Sequence, residues 1–555
     1  MFDVDGFQFD GWYQCEFCRC PYCLSEYKQE TGLDVPLKKD VANPAYLHYM
    51  LWRDHKLLER MVELRHAIHA VKSDAIIVNW NNIDVGKGAP SWMPPALDTE
   101  VDWVNKEWWD SYDVSAIWLI KRLRSSAGDR PAGIQPYMFM RHGYDVDSGV
   151  YHGSSAPTEE LLYRENKVLA TGSIPIIWPG ARQAWTDSDS LRVAKDQADF
   201  LPLVERTHTL KYAACLDSYT TMEMGRTDPT KTDILANRCG VTRALLEAHI
   251  PFDVLAEHNL TLQSLSQYKV LVLPNTTCMS DRLLALVKQY VANGGGLVAT
   301  YQSSLFDEWG ARRADFGLKE LFGCSYVGTA AGASRIGFSG QSHPIADDPA
   351  IKDLTGTNGR TTYWGKFARI TADGSQMISP LTGITVQKND DDFTTGDSWV
   401  PLLAGKYQAG RVAYFPAAID AAYFQAGYPY QRLLLTNAVR WAAAADPSVR
   451  VAAPMCVQAE YLTQTDAHAR RTLVHLLNDI NTTTGHGSAE EKEYAFREEI
   501  VPIGGITVTF TGPKPANVLF IPGKQPLETS PSGDGAWTVT IPPLALHGVV
   551  DAEYP

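Results

Sequence analysis

Phe7-Gln8-Phe9-Asp10-Gly11-Trp12 is followed at once by Cys15-x-x-Cys18-x-Cys20-x-x-Cys23. The short apolar alternation ending in Asp-Gly-Trp reads as a buried strand that presents a carboxylate at its C-terminal end. In β/α barrels that end of the sheet carries the catalytic groups, on loops held by a rigid scaffold. Four thiols within nine positions then make a compact chelating loop. Tetrahedral Zn2+ takes four soft donors at about 2.3 Å, and Cys-x-x-Cys knuckles supply them in pairs. With one residue between the pairs, the loop either curls tightly around one ion or uses three thiols and an outside ligand. Disulfides and free thiols are the alternatives. Structural Zn2+ on Cys15, Cys18, Cys20 and Cys23 is the expectation, and four thiolates leave no open position for catalysis.

Outward from this point strand and helix patterns alternate. A long amphipathic helix is expected over about 45–71, then a strand Ala75-Ile-Ile-Val-Asn79-Trp80, then an aromatic, acidic stretch from Asp98 to Asp110. A helix near 114–124, a strand over 133–140 ending at Arg141-His142, and a helix near 158–169 follow. Ile174-Pro-Ile-Ile-Trp178 and a last helix over about 188–205 complete the region. Such alternation implies a parallel sheet with crossover helices. About five strand positions are present where a closed barrel needs eight. Residues 1–206 are therefore expected to be a partial (β/α)8 barrel lacking its first strands, by N-terminal truncation or with another chain covering the gap, truncation being favoured.

The pattern restarts near His208. Leu210–Leu216, Phe252–Leu255, Tyr268–Asn275 and Gly294–Thr300 read as strands, with helices over 233–249 and 280–293 between them. This predicts a doubly wound α/β domain over residues 207–445. From Arg450 onward helical periodicity gives way to short alternating strands broken by Gly, Pro and Asn, which predicts a β-sandwich over 446–555.

Composition narrows the partners. At 555 residues the chain is long enough for about three or four domains. A net charge of -14 argues against nucleic acid or an anionic membrane surface as a partner. No apolar run approaches the roughly 18–20 residues of a membrane span. No signal peptide is visible, and a targeting segment would precede Met1, so the cellular address is open, with the cytoplasm favoured. Cys215, Cys239, Cys278, Cys324 and Cys456 are scattered singly and read as buried thiols. Fifteen Trp and 25 Tyr offer faces on which sugar rings pack, although most of them belong to cores.

Asp5-Gly-Phe-Gln-Phe-Asp10-Gly with Cys18-Arg-Cys20-Pro-Tyr-Cys23 resembles a group of uncharacterised glycosyl hydrolases related to family 42 β-galactosidases and to α-L-fucosidases. Family 42 enzymes carry a similar Cys-x-Cys-x-x-Cys loop, with one further cysteine, around a structural zinc. Val270-Leu-Val-Leu-Pro-Asn, Val291-Ala-Asn-Gly-Gly-Gly-Leu-Val-Ala-Thr and Ser304-Leu-Phe-Asp-Glu resemble the β-galactosidase trimerisation domain, which has a class I glutamine-amidotransferase-like, flavodoxin-like fold. The terminal β domain fits the same layout, so the resemblance covers nearly the whole chain. It implies a homo-oligomer, trimer or dimer, through the α/β domain. The turn after Thr300 reads Tyr301-Gln-Ser-Ser304, without the cysteine that an active amidotransferase needs there, so that domain is read as structural.

Glycoside hydrolysis needs two carboxyl groups, about 5–5.5 Å apart for retention and farther apart for inversion. Family 42 places a Glu after strand four and another after strand seven. This chain has Asp10 at the first position and Phe139-Met-Arg141-His142, with no Glu, at the other. The fucosidase-like pattern, an Asp nucleophile on strand four and a Glu near strand six, fits better. It implies Asp10 as nucleophile and Glu100 as acid/base, with Glu107 the second candidate and neighbouring Trp residues raising the acid's pKa. Trp12, Asn79, Trp80, Arg141, His142 and Trp178 end strands and are candidates for sugar binding. The expected function is a retaining exo-glycosidase for a galactoside- or fucoside-type sugar, with no organic cofactor. The alternative is a non-catalytic carbohydrate-binding or assembly protein with a degenerate or truncated barrel.

Overall fold

The computed structural model describes residues 4–10, 17–40, 43–83, 95–108, 113–136, 143–145, 150–152, 157–176, 187–227, 234–338, 341–355, 359–374, 377–389, 392–465, 469–482, 497–533 and 535–555. Among these, strands β1 (Gly6–Asp10), β2 (Ile76–Ile83), β3 (Trp103–Trp108), β4 (Ala132–Pro136) and β5 (Ile174–Pro175) form one parallel sheet in chain order. The helices between and after them are α1 (Pro21–Thr31), α2 (Pro44–Val71), α3 (Asp113–Ala127), α4 (Thr158–Ala170) and α5 (Asp187–Phe200). Asn43 starts α2 by accepting from the Ala45 amide, and Pro44 stands at the first turn, where its missing N–H costs nothing. The aromatic stretch after Asp98 contains the central strand β3.

Alternation along this sheet separates two faces. Ile77, Val104, Ala132 and Ile134 are buried on the face that shares a core with Ile117, Ile120 and Leu123 of α3. The other face starts at Ile76, which is 47% exposed. β1 forms the edge of the sheet among the described residues, and Phe7 on it is 42% exposed.

The second sheet is built from β6 (Ala213–Asp217), β7 (Phe252–Ala256), β8 (Val270–Leu273) and β9 (Gly296–Thr300). A four-stranded antiparallel sheet intervenes, β10 (Cys324–Gly337), β11 (Arg360–Ala372), β12 (Thr382–Asn389) and β13 (Asp392–Trp399), before β14 (Leu403–Tyr407) and β15 (Gly410–Phe415) return to the second sheet. Its order is β7-β6-β8-β9-β15-β14, parallel except for the β14 edge. Helices α6 (Tyr219–Thr227), α7 (Ile234–Glu247), α8 (Asp281–Ala292), α9 (Ile419–Ala426) and α10 (Pro429–Ala443) accompany it. Val270, Val272, Leu271 and Leu273 are fully buried, as a strand covered on both faces requires. Where α7 crosses α9 only glycine fits: a Cβ at Gly240 would lie 1.9 Å from the Asp420 carbonyl oxygen.

The last region consists of two antiparallel sheets around a shared core that includes Val457, Val474, Phe510 and Val550. A three-residue strand, Thr207–Thr209, pairs with Val457–Thr465, so the chain touches this sheet before it enters the second one. Helix α3 binds the regions together. Trp118 Nε1 and Arg122 reach Asp217 at 2.9 and 3.5 Å, and Lys121 donates to the Phe252 carbonyl at 3.0 Å while pairing with Glu460.

Candidate active site

The register of the first sheet locates the carboxylates. Asp10 ends β1 level with Trp80, and Trp80 is level with Asn105, which is level with Gly133. Two residues further along, Asn82, Glu107 and Gln135 are level with one another. All these positions have the same parity, so they fall on the face away from α3 and at the C-terminal end of the sheet. Asp10 and Glu107 are two strands and two residues apart, about 12 Å between Cα positions at ~4.8 Å per strand and ~3.3 Å per residue.

Glu100 is not brought to this end. It precedes β3, five residues before the level of Asp10, and its carboxylate accepts from Thr99 Oγ1 at 3.3 Å. Arg65 holds the surrounding turn, donating to the Glu100 carbonyl at 2.8 Å and to Asp102 at 2.9 Å. Asp102 in turn accepts from the Ile77 amide, near the beginning of β2. The acid/base expectation on Glu100 is therefore corrected: it lies at the N-terminal end of the sheet, opposite to the end of Asp10. Asp98 is likewise engaged, paired with Lys106 at 2.9 Å with both side chains buried. Burial pulls the Lys106 ammonium down, opposed by the Asp98 charge.

Asn79 is fully buried, and its parity places it on the α3 face, not beside Asp10. Trp80 is in register with Asp10, as a backbone position. Trp12, Arg141, His142 and Trp178 lie outside the described residues. In their place the sheet offers polar groups that the sequence did not single out. Asn105 is 4% exposed, and neither its Oδ1 nor Trp103 Nε1 has a hydrogen-bond partner among the described residues. Both atoms converge over Gly133, where a Cβ would lie 2.2 Å from Asn105 Oδ1 and 3.0 Å from Trp103 Nε1. A buried unpaired acceptor and donor side by side suit a ligand that both gives and accepts hydrogen bonds.

The Sγ atoms of Cys18, Cys20 and Cys23 lie within 4.8 Å of one another, and Cys15 falls outside the described residues. Tetrahedral thiolate–zinc bonds of about 2.3 Å put sulfurs about 3.8 Å apart, so the three present a fitting donor set. Cys20 caps α1, its Sγ accepting from the Cys23 amide at 3.5 Å. That hydrogen bond draws the exposed Cys20 thiol below its ordinary range, while burial pushes Cys23 up to about 12. Tyr49 of α2 donates to the Cys18 carbonyl at 2.5 Å, and Tyr27, Trp52 and Tyr49 pack beneath the loop.

In the second sheet, Tyr301 follows β9 with φ of +50°, in the left-handed region. Cys278 is fully buried, and burial pushes its thiol to about 12. Neither supplies an activated thiolate.

Comparison with known proteins supports the relationship. Residues 242–326, from α7 to the start of β10, match the β-galactosidase trimerisation domain. The β-galactosidase GalA of Bacillus licheniformis is 28% identical over 134 residues, which is 22% of this chain and 19% of that protein. The sequence match thus spans about a fifth of the curated relative's length. In fold, the α-L-fucosidase isoenzyme 2 of Paenibacillus thiaminolyticus superposes with a TM-score of 0.69 at 19% identity, over 100% of this chain and 78% of that one. A β-galactosidase from a Rahnella species gives 0.69 at 12% identity, over 99% and 78%. The β-galactosidase of Bacillus circulans sp. alkalophilus gives 0.67 at 13%, over 97% and 77%. The chain is related to the family 42 β-galactosidases, whose trimerisation domain it carries, and it shares its mixed α/β fold with them and with α-L-fucosidase.

Proposed function

We propose that this chain is a glycoside hydrolase-like protein, a retaining exo-glycosidase for a galactoside- or fucoside-type sugar, with Asp10 as nucleophile and Glu107 as acid/base. The observation that carries this reading is register: Asp10 and Glu107 occupy C-terminal positions of one parallel sheet on one face. The Asp10 carboxylate attacks the anomeric carbon as the glycosidic bond breaks, and Glu107 gives its proton to the departing oxygen. Water, deprotonated by Glu107, then cleaves the glycosyl–Asp10 ester and restores both carboxyl groups. Asn105 and Trp103 bind sugar hydroxyls beside them. In this reading residues 1–206 are part of a (β/α)8 barrel, 207–445 a flavodoxin-like, amidotransferase-like assembly domain, and 446–555 a β-sandwich. The strand order of the second sheet and the likeness to family 42 structures support it. Structural Zn2+ on the cysteine loop and homotrimerisation through the α/β domain complete it.

A second reading is a non-catalytic carbohydrate-binding or assembly protein, favoured by β1 standing at the sheet edge among the described residues and by exposed Ile76. Hydrolysis of nitrophenyl α-L-fucoside, β-galactoside, β-glucoside and α-galactoside decides between them. Turnover that falls at least about 10³-fold in both Asp10→Asn and Glu107→Gln is the expected result. Turnover insensitive to either substitution removes that residue from the mechanism, and no turnover with retained sugar binding favours the second reading.

A further inference from the structure

The antiparallel sheet β10–β13 has one face that its own chain covers and one that it leaves open. Ile336 on β10 and Tyr363 and Phe367 on β11 are buried in a core shared with Ile419, Ala422 and Tyr430 of α9 and α10. Strand alternation turns the intervening positions outward. Arg360, Thr362 and Trp364 on β11 are exposed and Lys366 is half-buried. Across the ladder Arg335 is level with Thr362, Ala333 with Trp364 and Ala331 with Lys366. Alanines are too small to cover an indole, and Trp364 is 62% exposed, the largest exposed apolar side chain among the described residues. Arg335 stands diagonally from it, about 7–8 Å away, while Lys366 and Arg360 lie on its own strand with the same parity. Among the described residues no ion pair engages these three cations, whereas Arg369 further along β11 meets Asp397 at 3.4 Å.

Trp and Arg dominate the centres of protein interfaces, and a Trp left bare on a sheet face marks a contact surface. Its charge selects the partner. The chain has 64 acidic and 50 basic residues, a net charge of -14, so a second copy offers acidic surface to this basic face. Residues 242–326, which match the trimerisation domain, run directly into β10, so the face continues that part of the chain. An extended polyanion is disfavoured, because three cations would meet it while the rest of the chain repels it. We infer that the outward face of β10 and β11 is a subunit contact, where Trp364, Arg335, Arg360 and Lys366 dock head to tail on an acidic surface of a second copy. The same charges set the symmetry. A two-fold contact would lay this face against itself, cations facing cations, whereas a head-to-tail contact avoids that and closes as a ring. The inference rests on the assembly part of the reading above and not on its carboxylate chemistry.

Sedimentation velocity of the full chain over a dilution series tests it. The native chain is expected to form a trimer at low salt and to dissociate towards about 1 M salt, where the screening length falls to about 3 Å. Trp364→Ala and Lys366→Glu are each expected to raise the dissociation constant by about tenfold or more. Circular dichroism should stay unchanged in both, because both positions face outward. A native chain that sediments as a monomer overturns the inference together with the assembly reading. An assembly indifferent to both substitutions overturns the assignment of this face and leaves the assembly reading standing. A two-fold dimer that they dissociate overturns the head-to-tail contact. Alginate, a polyanionic glycan, binding to the native chain and not to Lys366→Glu, with the assembly unchanged in that variant, overturns the subunit contact in favour of a glycan platform.

Discussion

Asn105 Oδ1, buried and without a partner among the described residues, is the sharpest clue at the residue scale. Leaving a buried acceptor unsatisfied costs about 1–3 kcal/mol. Asn105→Ala removes that acceptor and is expected to leave the melting temperature unchanged or slightly higher. The same change is expected to lower kcat/KM on the cleaved nitrophenyl glycoside about 10- to 100-fold, because a sugar hydroxyl loses its partner. A falling melting temperature with unaltered kcat/KM would make Asn105 a packing residue. Asp10 could be picked out of the sequence as a candidate because a strand-ending Asp-Gly is a local pattern. Asn105 could not be, since nothing local distinguishes Asn105 from Asn79 on the opposite face: only inter-strand register assigns each its side. The same blindness produced Glu100, whose aromatic, acidic neighbourhood looks identical to that of Glu107 until β3 is placed between them.

Among elements, the cysteine loop and α3 carry opposite kinds of stabilisation. Among the described residues the loop caps α1 through Cys20 and rests on Tyr27, Tyr49 and Trp52, and bound metal is expected to add to its order. Purified protein is expected to hold about one zinc per chain by atomic emission. Cys20→Ser should reduce that content and lower the melting temperature, and equal melting of zinc-depleted and zinc-loaded protein would sink a structural role. Helix α3, by contrast, fastens three regions through one cation, Lys121, which meets the Phe252 carbonyl, the Phe252 ring at 4.4 Å and buried Glu460. Lys121→Met strands that carboxylate and is expected to cost about 3–5 kcal/mol, read by calorimetry. Adding Glu460→Met should return most of the loss; a double variant no more stable than the single one would show that Lys121 acts through packing alone. Helix and strand positions around α3 were readable from periodicity, as were β6 to β9. The antiparallel sheet β10–β13 was not: its residues alternate Gly, Ala, Thr and Ser with little apolar contrast, as in Cys324–Gly337, and long pairings of that kind leave no local signature.

For the whole molecule, the contact between the first region and the last includes a pair of buried histidines. His475 Nδ1 lies 3.1 Å from His547 Nε2, and His547 Nδ1 meets Asn166 Oδ1 on α4. The Asn166 amide nitrogen donates to the Leu162 carbonyl and to Asp196, so its oxygen accepts the His547 Nδ1 proton. His547 Nε2 then accepts from His475, so a second proton on His547 would break that hydrogen bond. Phe200 of α5 stacks on His547 at 4.1 Å. Burial drives His475 down to about 3 and His547 well below its ordinary value, with His475 adding to the latter. The unfolded chain protonates both near pH 6.5, whereas the folded chain does not, so stability is intact above that pH and drains as pH falls below it. The slope is about 1.4 kcal/mol per pH unit for each histidine. Buried Glu257 and Asp420, raised by burial to about 7 and about 6, act with the opposite sign, since their protonated forms are favoured in the fold. A comparison of variants cancels them. Thermal unfolding of the native chain and of His475→Asn at pH 7.5, 6.0 and 5.0 should give curves that converge as pH falls, the native chain losing more stability per unit. Parallel curves would mean that the pair is already protonated in the fold, and that the interface between the helices and the terminal sheet is held by something other than a neutral histidine chain.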